Sequence, residues 1–257
     1  MAKAPSFEKT LCRDSPSLSA VLGIHGFGSN PEELMPVAEV LHDRCQSDVF
    51  LFRLPGHEDL PDSMDQCRYL DWIDAADTAY RQVAKSYKRV ILYGVSMGAV
   101  LSAGLAAKYP VDGFINMAAP WIPSSLRLRM GPYFGQGIPL LMEKLGRKYW
   151  QDKSDPPNRY PYAALIELMR LILSRRRKVS YIHCPTLILH SVDDTVAAPR
   201  SAKWLQRHIG SQQQHCIWTE GEHHFLLEPG KYKDEMEQIV TFVNDPLAYF
   251  DALGTRA

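Results

Sequence analysis

Short apolar runs alternate along this chain with longer stretches in which apolar residues recur every three or four positions. Ser19 to Ile24 is apolar and unbroken, as expected of a strand covered on both faces. It leads into His25-Gly26-Phe27-Gly28, after which Asn30, Pro31 and Glu33 form a helix-start signature of N-cap, first-turn proline and third-position carboxylate. Val49 to Phe52 predicts a second strand, and the turn-rich Arg53-Leu54-Pro55-Gly56-His57 follows it. From Tyr69 to Tyr87 the residues Ile73, Ala76, Tyr80, Val83 and Tyr87 keep helical spacing, which predicts an amphipathic helix. Val90, Ile91 and Leu92 open the next strand, and a helix rich in small residues runs from there to Tyr109-Pro110.

Val111 to Met117 is again strand-like, so the pattern predicts a mostly parallel sheet with helices on both faces. The rhythm breaks between Trp121 and Val179. That stretch holds Pro123, Pro132, Pro139, Pro156, Pro157 and Pro161, with helical patches near Ile138–Leu145 and Ala163–Leu173 and no convincing strand. It reads as a helical insertion lying over the sheet. Strand Cys184–His190, helix Pro199–Ile209, strand Gln214–Thr219 and a last helix ending near Phe242 complete the chain.

Composition narrows the choices. A 257-residue chain with 46% hydrophobic residues can build one sizeable core. Lys+Arg and Asp+Glu both number 29, so no global field draws the chain to nucleic acid or to an anionic membrane. Met1 to Ser6 has no apolar leader core, and no apolar run reaches the roughly 18 residues of a membrane span, so no stable membrane anchor is expected. The cysteines Cys12, Cys45, Cys67, Cys184 and Cys216 are odd in number and scattered, which points to reduced thiols and a cytoplasmic location. No glycine-rich phosphate loop is present. Glu220, Glu222, His223 and His224 lack the spacing of a zinc site, so neither a cofactor nor a metal is expected.

The chemistry centres on Gly94-Val95-Ser96-Met97-Gly98, set between a strand and a helix. A serine at such a turn is exposed at the sheet's end, with the Met97 N–H at a helix N-terminus. A serine hydroxyl needs a base, and the base needs an orienting group. Asp194 follows one later strand and His223 the next, in the order serine, carboxylate, histidine. Asp194 is favoured over Asp193 because it stands just ahead of Thr195-Val196-Ala197-Ala198-Pro199, and His223 over His224 because it precedes Phe225-Leu226-Leu227. Oxyanion donors are expected at the Met97 and Phe27 N–H groups, with Gly26 and Gly28 letting that loop curl toward the serine. His25 reads as a structural hydrogen-bonder, His57 as a buried loop anchor, and Arg175 to Lys178 as a solvated helix end. Phe27, Leu34, Met35, Met97, Trp121 and Ile122 are acyl-pocket candidates, being apolar and near these motifs in sequence.

These residues, with Arg53-Leu54-Pro55-Gly56-His57, Trp72 before the helix and Tyr109-Pro110-Val111-Asp112-Gly113, resemble the α/β-hydrolase family, and within it the bacterial carboxylesterase and monoacylglycerol lipase branch. The resemblance implies an α/β-hydrolase domain over residues 1–120 and 180–257, and a small helical cap over 121–179 after the fold's sixth strand. It also implies a Ser96/Asp194/His223 triad and cofactor-free hydrolysis of short- to medium-chain carboxylic esters, monoacylglycerols being one candidate class. Two positions depart from the family pattern. Ser191 stands where glycine is frequent, and Glu222 precedes the histidine where a small residue is usual. The same machinery serves serine aminopeptidases and thioesterases, and the fold also occurs in non-catalytic small-molecule binders.

Overall fold

Every strand residue from Ser19 to Ile24 is buried, and so is every residue of the Arg89–Val95 strand after its first. Their side chains alternate between two apolar layers, Ala20, Leu22 and Leu92 entering one and Val21, Ile91 and Tyr93 the other. In the computed structural model, residues 7–13, 17–57, 61–122, 149–151, 159–223 and 230–254 are described. Strands β1 (Phe7–Leu11), β2 (Ser19–Ile24), β3 (Ser47–Phe52), β4 (Arg89–Val95), β5 (Gly113–Met117), β8 (Thr186–Ser191) and β9 (Gln214–Thr219) form one sheet in the order β1-β3-β2-β4-β5-β8-β9. Only β1 runs antiparallel, at the edge beside β3. The chain reverses strand order after β3, so the carboxyl ends of β2 and β4 face a shared crevice, where ligands of open α/β sheets bind.

Helices α2 (Tyr69–Val83), α3 (Met97–Ala106), α4 (Tyr162–Arg176) and α5 (Arg200–His208) close one layer; α1 (Met35–Arg44), α6 (Lys233–Asn244) and α7 (Pro246–Gly254) close the other. Helix α3 is apolar nearly all round and is buried except at Gly104, against the sheet and α4. The helix-start signature at Asn30 yields first a single 3-10 turn, Pro31–Leu34, with Asn30 accepting from the Glu32 N–H at 2.9 Å, and then α1.

Several expectations need correction. The stretch 121–179 does contain strand: β6 (Tyr149–Gln151) and β7 (Arg159–Pro161) pair as a small antiparallel ribbon. Three-residue strands are too short to show a period. The helical patch at 163–173 is part of α4, whereas the patch at 138–145 lies outside the described residues. Among the described residues, five strands precede this insertion. Trp72 lies inside α2, fully buried, and donates to the Pro55 carbonyl at 3.0 Å. Helix α7, past the expected last helix, adds Tyr249 to the core.

The basic run is not simply solvated. Arg175 lies half-buried over Gly104 of α3, and Arg176 stacks on the Trp204 ring at 4.5 Å, while Arg177 and Lys178 are exposed. The buried carboxylate of Glu167 on α4 accepts the Tyr69 N–H at 3.0 Å, filling an orphan donor at the start of α2 and tying the insertion to the main layer.

Candidate active site

Ser96 occupies the turn between β4 and α3 with φ 52 and ψ −116, a region L-residues seldom enter. Such strain costs on the order of 1–3 kcal/mol and is kept only where surroundings enforce it. Here they do. The Ser96 N–H is held by the Met117 carbonyl at 2.8 Å, and glycines on either side let backbones touch. A Cβ on Gly94 would lie 2.6 Å from the Ala99 Cα, and one on Gly98 only 1.9 Å from the Ile24 carbonyl oxygen. The turn therefore packs against the end of β2, and the Ser96 side chain emerges at the carboxyl edge of the sheet.

His223, in the loop after β9, brings its Nε2 to 2.9 Å from the Ser96 Oγ and its Nδ1 to 2.7 Å from the Asp194 Oδ2. Asp194, in the loop after β8, is buried, and its Oδ1 accepts the N–H groups of Val196 and Ala197, each at 2.8 Å. Burial alone would raise the Asp194 pKa. The His223 hydrogen bond and charge, with those two N–H groups, outweigh it and hold the carboxyl below its ordinary value. An ionised carboxylate only accepts, so Nδ1 carries the proton and Nε2 is left to accept the Ser96 hydroxyl. The arrangement can draw a proton off the serine and store the charge beside Asp194.

The flanking loops are tied together. Ser191 Oγ donates to the Gly221 carbonyl, and the Gly221 N–H reaches Asp193 Oδ2 at 3.3 Å. Asp193 is thus an exposed loop bridge, while Asp194 meets the imidazole. The departure at Ser191 gives a cross-loop bond that glycine could not make. Glu222 is exposed, and His224 lies outside the described residues.

Beside the serine, the loop after β2 brings Gly26 so near that a Cβ there would stand 3.5 Å from the Ser96 Cβ. Its N–H is held by Glu33 Oε2 at 2.9 Å. Phe27 is half-buried among His57, Trp72 and Tyr160, with ring centroids 6.1, 6.0 and 5.3 Å away. Gly28 has φ +70, and Tyr160 of the β7 ribbon covers it so closely that a Cβ would fall 2.2 Å from that ring. Met97, fully buried, is the first residue of α3, where backbone N–H groups have no partner within the helix.

His25 accepts the Leu54 N–H on Nε2 at 3.0 Å and donates from Nδ1 to the Gly26 carbonyl at 2.8 Å. His57 is buried and meets the Pro55 carbonyl through Nδ1 at 3.0 Å. Both are the loop-fixing groups expected. The four further pocket candidates do not gather. Leu34, fully buried, packs with Val37 and Leu41, and Met35 borders that same cluster; Trp121 is enclosed in the other cluster, 5.6 Å from the Trp204 ring. Ile122 donates its N–H to Ser201 Oγ at 2.9 Å.

Two residues near the site escaped the sequence reading. Glu33 was legible only as a helix-start carboxylate, since nothing local announces a backbone partner seven residues back. His190, at the end of β8, is fully buried, with Nε2 at 2.8 Å from the Ala197 carbonyl and 3.6 Å from Asp194 Oδ2. Burial, then the His223 charge, lower its pKa against the Ala197 bond and Asp194, so it stays neutral beneath the carboxylate. Among the described residues, no group of three or more His, Cys, Asp or Glu side chains converges as a metal site, and no helix is long and apolar enough to cross a membrane.

Known proteins resemble this chain in sequence and in fold. Residues 21–237 match the model of the alpha/beta hydrolase family. A thermostable monoacylglycerol lipase from a Bacillus species is 27% identical over 212 residues, covering 79% of this chain and 82% of the relative. Among solved structures, that of the metagenome-derived lipolytic enzymes LipS and LipT has a TM-score of 0.77 at 21% identity, covering 93% of this chain and 96% of that one. The monoacylglycerol lipase of Paleococcus ferrophilus has a TM-score of 0.71 at 16% identity, covering 90% and 95%.

Proposed function

Since the chain belongs to the alpha/beta hydrolase family, we propose that it is a serine carboxylesterase acting on short- to medium-chain esters, monoacylglycerols included. Ser96 is the nucleophile, His223 the base and then the acid, and Asp194 the group that orients the imidazole. As Ser96 Oγ attacks the ester carbonyl, its proton passes to His223 Nε2, and the new oxyanion is met by the Phe27 and Met97 N–H groups. Collapse returns the proton to the departing alcohol and leaves an acyl-Ser96. Water, deprotonated by the same imidazole, then releases the acid. No cofactor takes part, and Tyr160 of the β6–β7 ribbon, set against Phe27 and Gly28, belongs to a cap beside the serine.

One observation carries the reading: a single buried imidazole spans Ser96 and Asp194 at 2.9 and 2.7 Å. The monoacylglycerol part rests on the Bacillus relative and is the first substrate class to try. The test is release of p-nitrophenol from acyl esters of rising chain length and of glycerol from monoacylglycerols, beside aminoacyl and thioester substrates, with fluorophosphonate labelling in parallel. Labelling lost in Ser96→Ala, with the highest kcat/KM on oxygen esters, is expected. A protein that resists the probe at neutral pH is a binder, and higher kcat/KM on the amides or thioesters overturns the ester assignment.

A further inference from the structure

The serine, histidine and carboxylate stand at the carboxyl ends of the strands. At the opposite edge, where β2, β3 and β4 begin, Ser19, Ser47 and Arg89 lie in register and open onto a cavity of about 670 Å³. Arg13, Arg44, Lys88 and Arg89 all line it. Among the described residues, nearby carboxylates pair with one member of that set and leave the other three. Glu237 is taken up by both terminal nitrogens of Arg44, at 2.6 and 2.8 Å. Asp48 accepts the Arg13 backbone N–H at 2.8 Å and the Tyr87 hydroxyl at 2.7 Å. Among the described residues, the side chains of Arg13, Lys88 and Arg89 form no ion pair.

Two of these cations are held in place by backbone. Arg13 Nη1 donates to the His42 and Cys45 carbonyls at 3.1 and 3.4 Å, at the end of α1, and Arg89 Nη2 donates to the Val243 carbonyl near the end of α6. Each guanidinium is anchored by one nitrogen, so further donors of its fork are presented without an ordering cost at binding. The Arg89 Nε is buried and meets no acceptor among the described residues. Between the arginines, the Ser19 and Ser47 hydroxyls are bonded to one another at 2.9 Å.

We propose that this cavity is a second binding site, remote from Ser96, for a small phosphate-bearing anion. A phosphoryl group matches the lining because it carries up to two charges and three acceptor oxygens for forked donors. The volume accommodates a phosphorylated small molecule rather than a bare ion.

The probe is pyrophosphate, titrated calorimetrically at constant ionic strength into the whole protein and into Lys88→Glu, Arg89→Gln and Ser96→Ala. Lys88 is exposed, so its reversal keeps the fold, which circular dichroism checks, and leaves ester hydrolysis unchanged. Saturable one-to-one binding is expected, weakened at least tenfold in the Lys88 and Arg89 variants and unaltered in Ser96→Ala. Absence of saturation, equal affinity in Lys88→Glu, or loss in Ser96→Ala would each overturn the site. So would binding confined to phosphatidic acid vesicles, because a membrane surface rather than a soluble phosphate would then be the ligand. None of these readings depends on whether Ser96 is a working nucleophile.

Discussion

Glu33 Oε2 accepts the N–H of Gly26 at 2.9 Å, so a carboxylate in the first turn after the loop fixes the backbone that abuts Ser96. The proposed oxyanion donor, the Phe27 N–H, is the next amide along. Its direction follows from how the Gly26 peptide is held. Glu33→Ala is expected to lower kcat by about tenfold to a hundredfold with little change in KM, since donor placement matters most in the transition state. Glu33→Gln keeps an acceptor oxygen and should retain most activity. Steady-state kinetics on one ester decides it, and equal losses in the two variants would count against the relationship.

Asp194→Asn probes the imidazole's tautomer. An amide can turn its NH2 toward Nδ1, which favours a proton on Nε2 and leaves Ser96 Oγ without its acceptor. A fall in kcat of roughly 10³–10⁴ is expected, with the fold intact, by analogy with other serine hydrolases. The rate of fluorophosphonate labelling should fall in parallel. A variant that loses less than about tenfold would mean that Asp194 does not orient the base.

His25 predicts an acid-sensitive fold. Burial first, then repulsion from His57 and Arg53, outweigh the Gly26 bond and Glu33 and push its pKa down to about 3. In the unfolded chain it titrates near 6.5. Between those values the unfolded state holds the extra proton, so stability is full above about pH 6.5 and falls as pH drops toward 3. The slope from this one group is about 1.4 kcal/mol per pH unit. His190, also lowered by burial, acts in the same direction, whereas the Asp194 contribution is lost only once pH falls below the ordinary aspartate range. Urea unfolding of His25→Gln at pH 6 and pH 5 should show a slope shallower by about one proton. An unchanged slope would refute the assignment.

What could be seen in the sequence is what repeats or has local chemistry. The β2 and β4 runs are unbroken because both faces are buried, and the glycines about Ser96 mark a turn that tolerates no Cβ at Gly94 or Gly98. The serine, aspartate and histidine could be ordered because each follows a strand. β1 escaped because Glu8, Lys9 and Thr10 make it look like a polar terminus, although as an edge strand only its alternate residues turn inward. The β6–β7 ribbon escaped because Pro161 argues against strand and three residues hold no period. Helix α7 starts on Pro246, a residue that from sequence alone ends the preceding helix as readily as it begins another. The Glu33–Gly26, Glu167–Tyr69 and His190–Ala197 bonds all end on backbone atoms, which carry no side-chain signature.

Two glycines of α3 should respond oppositely to the same added methyl group. At Gly98 the new Cβ would meet the Ile24 and His25 carbonyl oxygens at 1.9 and 2.6 Å. Those atoms belong to the end of β2, which cannot retreat without dragging the Gly26 loop from Ser96. Gly98→Ala should therefore cost about 3 kcal/mol or more, as overpacking against rigid neighbours does, and kcat should collapse with it. At Gly104 the new Cβ would meet Arg175 side-chain atoms, the nearest at 2.8 Å, and that chain can swing toward solvent. The gain of roughly 0.5–1 kcal/mol in helix propensity offsets the shift, so Gly104→Ala should stay within about 1 kcal/mol of the parent and keep full activity. Urea unfolding and ester kinetics on both variants make the comparison. If Gly98→Ala proved as benign as Gly104→Ala, the close approach of α3 to β2 would be wrong, and with it the placement of Ser96 beside the loop that carries Phe27.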